Sequence, residues 1–132
     1  MTVRRVTAAE ARAWFQHPSQ LAGNGLDSPD DLPADGCEYW ACGDICALFH
    51  RQHWPDVWGV HCGVKPEGWG KLAQPALAIL RAFQAYHEPS LICAWSKESN
   101  RAILAFNRRI GFKIHGYMPT PDGRVVLQHW EA

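Results

Sequence analysis

The sequence predicts an α/β fold built on a mixed sheet, and three stretches carry that prediction. Residues 57–64 are rich in β-formers and stop at a segment holding one proline and two glycines. Beyond it Leu72, Ala76, Ile79, Leu80 and Phe83 recur at helical spacing, so that one face is apolar. Leu91-Ile92-Cys93-Ala94-Trp95 is a short apolar strand, and strand, helix and strand in this order imply a parallel, right-handed crossover. Upstream, residues 37–42 and 45–50 flank Gly43-Asp44 as an antiparallel hairpin, because glycine accepts the positive φ of a two-residue turn. Parallel and antiparallel pairings in one sheet define the mixed class.

In order along the chain, residues 2–6 form a short β-like run. Thr7-Ala8-Ala9-Glu10 is a capping box, and the helix it opens carries Ala11, Trp14 and Phe15 on one side. His17-Pro18 ends that helix. Residues 19–36 are punctuated by Gly23, Gly25, Pro29, Pro33 and Gly36, with Asp27, Asp30, Asp31 and Asp35 between them. They read as a solvated connection enclosing a short helix, or as a binding loop. After the hairpin, Pro55 marks a second turn, so three antiparallel strands precede the glycine segment. Pro75 is tolerable in the next helix if that helix starts at Leu72. Glu88-Pro89 stops it. Residues 100–112 form another helix, capped by Ser99 or Asn100, with Ile103, Phe106 and Ile110 as its apolar stripe. Gly111 stands where a left-handed C-cap belongs, and Phe112 can fold back on the last turn. Residues 113–118 and 124–131 close the chain as a hairpin. The expected order is strand, helix, short helix, three strands, helix, strand, helix, two strands. Trp40, Trp58, Trp95 and Trp130 are core and sheet residues, whereas Trp69 lies in a loop.

The chain has 132 residues, 47% of them hydrophobic, which suits a single domain over 1–132 with a real core. A formal net charge of +0 argues against a nucleic-acid partner. No run reaches the ~18 apolar residues of a membrane span, and the first residues lack the apolar core of a signal peptide. The 5 cysteines are odd in number and sit in apolar surroundings, which suggests reduced thiols and a cytoplasmic protein. Cys37, Cys42, Cys46, His50 and His53 could ligate zinc, but they contain no C-x-x-C knuckle, and no metal is expected.

The chemistry concentrates at Lys65-Pro66-Glu67-Gly68-Trp69-Gly70-Lys71. A glycine turn between a strand and a helix start leaves amides unpaired beside the positive end of the helix dipole, a setting that binds phosphate. Lys65 and Lys71 add charge. The spacing fits neither G-x-x-x-x-G-K-S/T nor G-x-G-x-x-G, which disfavours a P-loop ATPase and a Rossmann site.

The order of elements, this turn, and the Asn100-initiated helix ending in Gly111-Phe112 together resemble the GNAT superfamily of acetyl-CoA-dependent N-acetyltransferases. The family's pyrophosphate loop runs Arg/Gln-x-x-Gly-x-Gly/Ala; here Lys65 stands in the first place and Gly68 and Gly70 in the others. The resemblance implies that backbone groups of Cys62, Gly63 and Val64 pair with the pantetheine arm of acetyl-CoA. It implies that Lys65 and the amides of Gly68, Trp69, Gly70 and Lys71 hold the pyrophosphate, and that Asn100, Ile103 and Asn107 contact the cofactor. The family often has a tyrosine acid at the position of Asn107, and asparagine cannot replace an acid. His61, Glu38 and His50 are candidate bases, and Tyr117 is the candidate acid. The glycines on either side of His61 on its strand face leave room for a groove. Cys62 and Cys93 are poor nucleophiles, with nothing nearby in sequence to lower their pKa. Lys97, Arg101, Arg108 and Arg109 read as a solvated basic face, with Arg101 the one candidate for a phosphate contact. The expectation is acetyl transfer to a primary amine of a small molecule or peptide, by a monomer or homodimer. The alternative is a CoA-binding module with little or no catalysis.

Overall fold

The computed structural model describes residues 2–131. Thr7 accepts a hydrogen bond from the Glu10 amide and Glu10 accepts one from the Thr7 amide, so the capping box forms. It starts α1 (Ala8–Ala11), which tightens into a 3-10 turn over Arg12–Trp14. The regular helix is therefore shorter than expected. Pro18 opens α2 (Pro18–Gly23) at the first helical position, where its missing N–H costs nothing, and the His17 ring caps the Ser19 amide at 3.2 Å. The short helix expected after residue 18 thus begins at the proline itself.

β1 (Arg4–Val6), β2 (Cys37–Cys42), β3 (Ile45–Arg51) and β4 (Val57–Val64) pair antiparallel in sequence order. Gly43 takes φ 58° in the two-residue turn between Cys42 and Ile45. α3 (Ala73–His87) crosses over to β5 (Leu91–Lys97), which runs parallel to β4. With Leu72 as N-cap, Pro75 is the third residue of α3, where the amide has no helical acceptor in any case. Glu88 stops the helix in a left-handed conformation, φ 48°, ahead of Pro89. α4 (Arg101–Arg109) is capped by Asn100, and β6 (Phe112–Thr120) and β7 (Gly123–Trp130) close the sheet. The strand order is β1-β2-β3-β4-β5-β7-β6, so the last strand inserts beside β5 and β6 takes the edge.

The sheet buries both faces. On one, Trp40, Phe49, Trp58 and Ile92 meet Ile79, Leu80 and Phe83 of α3. Phe83 stacks on Phe49 at 3.7 Å and meets Trp40 and Trp58 edge-on at 5.6 and 5.1 Å. On the other, Trp14 and Phe15 cover Tyr39, Cys46 and Leu48. A Cβ on Gly63 would lie 2.6 Å from the Phe15 ring, so glycine there admits the aromatic side chain. No helix among the described residues is long and apolar enough to cross a membrane.

Phe83 is the keystone of the larger core, fully buried by three aromatic neighbours. Phe83→Ala is expected to lower unfolding stability by about 3–5 kcal/mol in urea titration with an unchanged m value. A loss under about 1 kcal/mol would show that α3 is held by something else.

Candidate active site

β4 and β5 pair only at Val57↔Leu91, Trp58↔Ile92 and Gly59↔Cys93. Beyond Cys93, β5 is held on its other edge by β7, from Cys93↔His129 to Lys97↔Val125. The end of β4 therefore has no neighbour on that side, and a cleft of about 650 Å³ opens there. The Lys65 amide donates to the Asp44 carbonyl at 2.9 Å. Antiparallel pairing alternates, so Gly63 and His61 also direct their backbone groups to β3, and those of Cys62 and Val64 face the gap. The Cys62 carbonyl is met there by Asn24 Nδ2 at 3.0 Å.

The glycine segment coils more tightly than expected. The amide of Gly68 donates to Lys65, that of Trp69 to Pro66 and that of Lys71 to Gly68, all within the turn. Among the described residues, the amides of Gly70, Leu72, Ala73 and Gln74 have no backbone acceptor. They lie at the N-terminus of the 15-residue α3, where the helix dipole adds positive potential. The two glycines serve different ends. A Cβ on Gly68 would lie 2.5 Å from Asp44 Cβ, whereas Gly70 faces open space and needs glycine for its φ of 85°. Lys65 Nζ sits over the Trp14 ring at 4.5 Å, on the other face of the sheet from α3. Trp69 is exposed and meets His17 edge-on.

Asn100, Ile103 and Asn107 all line the cleft. The Asn100 side chain accepts from the Ile103 amide at 3.3 Å as the cap of α4. Asn107 is buried and donates to Gln128 Oε1 at 2.9 Å, and Gln128 reaches the Leu104 carbonyl.

Two expected catalytic side chains lie elsewhere. Glu38 points to the α3 face of β2, two strands from β4, and accepts from His87 at 2.9 Å and Trp40 at 3.0 Å, with Arg5 at 3.3 Å. Burial raises its pKa, but the hydrogen bonds and charges of those partners outweigh it and hold the carboxyl below its ordinary range. Tyr117 lies on β6, separated from β5 by β7, half-exposed with the Arg124 guanidinium over its ring at 4.4 Å. Strand order keeps both from the cleft: β3 stands between Glu38 and β4, and β7 between Tyr117 and β5.

His61 does line the cleft. The room that the glycines leave is not an empty groove: His50 and Gln52 lie over Gly59, and Phe15 lies over Gly63. His61 Nε2 is 3.1 Å from His50 Nε2, and His50 Nδ1 is 3.1 Å from the Gln52 amide. Burial lowers the pKa of both rings, and in His61 the neighbouring His50 lowers it further. Burial pushes the Cys62 thiol up to about 11 and raises that of Cys93, so neither is a ready nucleophile. Among the described residues, no three His, Cys, Asp or Glu side chains are grouped to hold a metal. Asn24, Gln52 and Gln128 carry no sequence mark, because each acts through a partner distant in sequence or through a ring that only the fold brings near.

No family model and no curated protein matches the sequence. Solved structures do match in fold. Aminoglycoside acetyltransferase AAC(6')-Ib in complex with coenzyme A superposes with a TM-score of 0.72 at 18% identity, covering 97% of this chain and 92% of that one. A spermidine N-acetyltransferase SpeG variant from Vibrio cholerae gives 0.76 at 12% identity, over 98% and 94%. IAA acetyltransferase from Bacillus cereus gives 0.70 at 11% identity, over 99% of each chain. The fold is that of the GNAT acetyltransferases.

The half-buried His50 and His61 link stability to pH. When unfolded they titrate near 6.5, and when folded they titrate lower. Above 6.5 both states are neutral; as pH falls through that value the unfolded chain binds protons first, and stability drops until the folded pKa values are passed. Glu38 adds a separate loss below 4.5. Tm is expected to fall between about pH 7.5 and 5.5, and the double variant His50→Gln/His61→Gln should flatten that part of the curve. An equally steep fall in the variant would assign the effect to other groups.

Proposed function

We propose that this chain is an acetyl-CoA-dependent N-acetyltransferase that moves the acetyl group directly to a primary amine. The observation that carries this reading is the parting of β4 and β5 beside four unpaired amides at the start of α3. The amides of Gly70, Leu72, Ala73 and Gln74, with the charge of Lys71, suit the diphosphate. The backbone of Cys62 and Val64 suits the pantetheine arm as an added strand, bounded by Asn100, Ile103 and Asn107. Fold neighbours described in complex with coenzyme A support the choice of donor.

In this reading His61 is the base. Its depressed pKa keeps the ring neutral near pH 7, ready to accept a proton from the acceptor amine. The nitrogen attacks the thioester carbon, the carbon–sulfur bond breaks, and the Cys62 amide supports the carbonyl oxygen as charge develops. The thiolate takes its proton from water, since Asn107 is committed to Gln128 and no acidic side chain stands beside it. Among the described residues, no carboxylate lines the cleft, whereas Trp69 and Trp95 do. The acceptor that fits is therefore a small molecule or peptide presenting one amine on a neutral or apolar body. Five free cysteines support a reducing, cytoplasmic setting. Asn107 favours a second reading, a CoA-binding module without efficient catalysis.

Acetyl-CoA should raise Tm where ATP and ADP do not, and Gly70→Glu should weaken acetyl-CoA binding by at least about tenfold in calorimetry, through like charge at the unpaired amides and strain at φ 85°. Unchanged affinity would exclude this turn as the diphosphate site. Thiol release with a panel of amines separates the transferase from the binding module. In that assay Cys62→Ala should retain turnover, because transfer is direct; its loss would indicate an acyl-cysteine route.

A further inference from the structure

A Cβ on Gly59 would lie 2.3 Å from Gln52 Nε2 and 2.8 Å from the His50 ring. Glycine thus makes the place in which these two side chains lie over the strand. From there they reach His61 as a chain. Gln52 Nε2 stands 3.1 Å from His50 Nδ1, and His50 Nε2 stands 3.1 Å from His61 Nε2. The two rings stack at 5.0 Å and 15°. The other nitrogen of His61, Nδ1, has no hydrogen-bond partner among the described residues, and His61 lines the cleft. We propose that His50 and Gln52 are positioning residues for His61: they decide which of its nitrogens carries the proton, and His50 shares the proton that His61 takes from the acceptor. This rests on the N-acetyltransferase reading above.

A neutral imidazole has one N–H and one lone pair, so only two arrangements satisfy both contacts. With the Gln52 amide nitrogen toward His50, as it stands, Gln52 donates to His50 Nδ1, His50 Nε2–H donates to His61 Nε2, and His61 shows an N–H at Nδ1. With the carboxamide turned by half a rotation, its oxygen accepts from His50 Nδ1–H. His50 Nε2 then accepts from His61 Nε2–H, and His61 shows a lone pair at Nδ1. Only the second arrangement can deprotonate an ammonium acceptor. In that step an N–H bond of the ammonium breaks, its electron pair stays on the amine nitrogen, and a new N–H forms at His61 Nδ1. The positive charge passes to the rings and is shared across the Nε2–H···Nε2 bond. A carboxamide serves both arrangements because it has a donor end and an acceptor end. Leucine serves neither, and glutamate serves only the second.

The surroundings leave the pair to set its own proton affinity. By register and alternation, Cys37 of β2, Cys46 of β3 and Cys93 of β5 flank it on the same face, with Lys97 further along β5. Burial raises all three thiols, so they stay protonated. The Arg51 backbone, next to His50, raises the His50 pKa slightly against burial. Among the described residues, no carboxylate pairs with either ring.

The test combines 15N NMR of the imidazoles with pH–rate profiles of thiol release from acetyl-CoA, on wild type, Gln52→Glu, Gln52→Leu and His61→Gln. Wild-type His50 and His61 should titrate together as one proton-sharing pair. Gln52→Glu should pin His61 in the Nε2–H form and move both the shared midpoint and the acid limb of kcat/KM to higher pH. Gln52→Leu should leave the tautomer of the pair unset and lower kcat by about tenfold with KM for acetyl-CoA unchanged. Independent titration of the two rings, unmoved by Gln52→Glu, would overturn the proposal whatever the activity. Wild-type turnover in His61→Gln would overturn the base reading itself. Loss in His61→Gln beside wild-type profiles in both Gln52 variants would overturn this proposal alone.

Discussion

The structure depends on how one strand divides its two edges. β5 can hydrogen-bond on two edges, and β4 keeps one of them for only three residues. β7 holds the other from Cys93 to Lys97. Adjacent strands twist relative to each other, so a parallel pair pinned at one end diverges unless something fastens the other. Here the crossover through α3 joins the end of β4 to the start of β5 and puts no fastening between their far ends. Backbone groups left in such a gap must find partners. Asn24 supplies one, on the Cys62 carbonyl, and the remaining groups are those that the proposed pantetheine arm would pair with.

Four glycines near that gap act by two different means. Gly59 admits His50 and Gln52, Gly63 admits Phe15, and Gly68 admits the turn of the β2–β3 hairpin at Asp44. Gly70 admits nothing and is there for its backbone angle. In sequence Gly68 and Gly70 read together as one anion nest, and Gly59 and Gly63 as the room for a groove beside His61. In space only Gly70 belongs to the unpaired amides, and the other three are packing devices that hold the cleft's walls.

The architecture was legible because its signals are local. The capping box at Thr7, the Gly43-Asp44 turn, the Asn100 cap and the apolar spacing from Leu72 to Phe83 each report on a few neighbouring residues, and each element forms. The cleft's cofactor side was partly legible for the same reason: strand, glycine turn and helix start are contiguous. Strand order was not. Whether the closing hairpin presents β6 or β7 to β5 is decided by tertiary packing, and that choice takes Tyr117 away from the cleft. Glu38 is set apart by β3, which lies between β2 and β4. It alternates with Trp40 on the α3 face, whereas His61 sits on the other. The side chains that flank His61 come from β2, β3 and β5 and from Gln52 beyond β3, so no window of sequence contains them.

The cleft's polarity bears on what an enzyme of this shape can do. Its side chains are almost all neutral, with Lys97 the one formal charge on its walls among the described residues. A neutral, half-enclosed site favours loss of charge from an incoming ammonium, because desolvation penalises the charged form. It equally penalises a departing thiolate, and here nothing replaces the missing acid: Asn107 is spent on Gln128, which holds α4 against β7. The two effects pull in opposite directions along one reaction. Deprotonation of the amine becomes easy and expulsion of sulfur becomes the demanding step. A site so arranged works best where the thiolate end of the gap reaches water while the amine end stays dry.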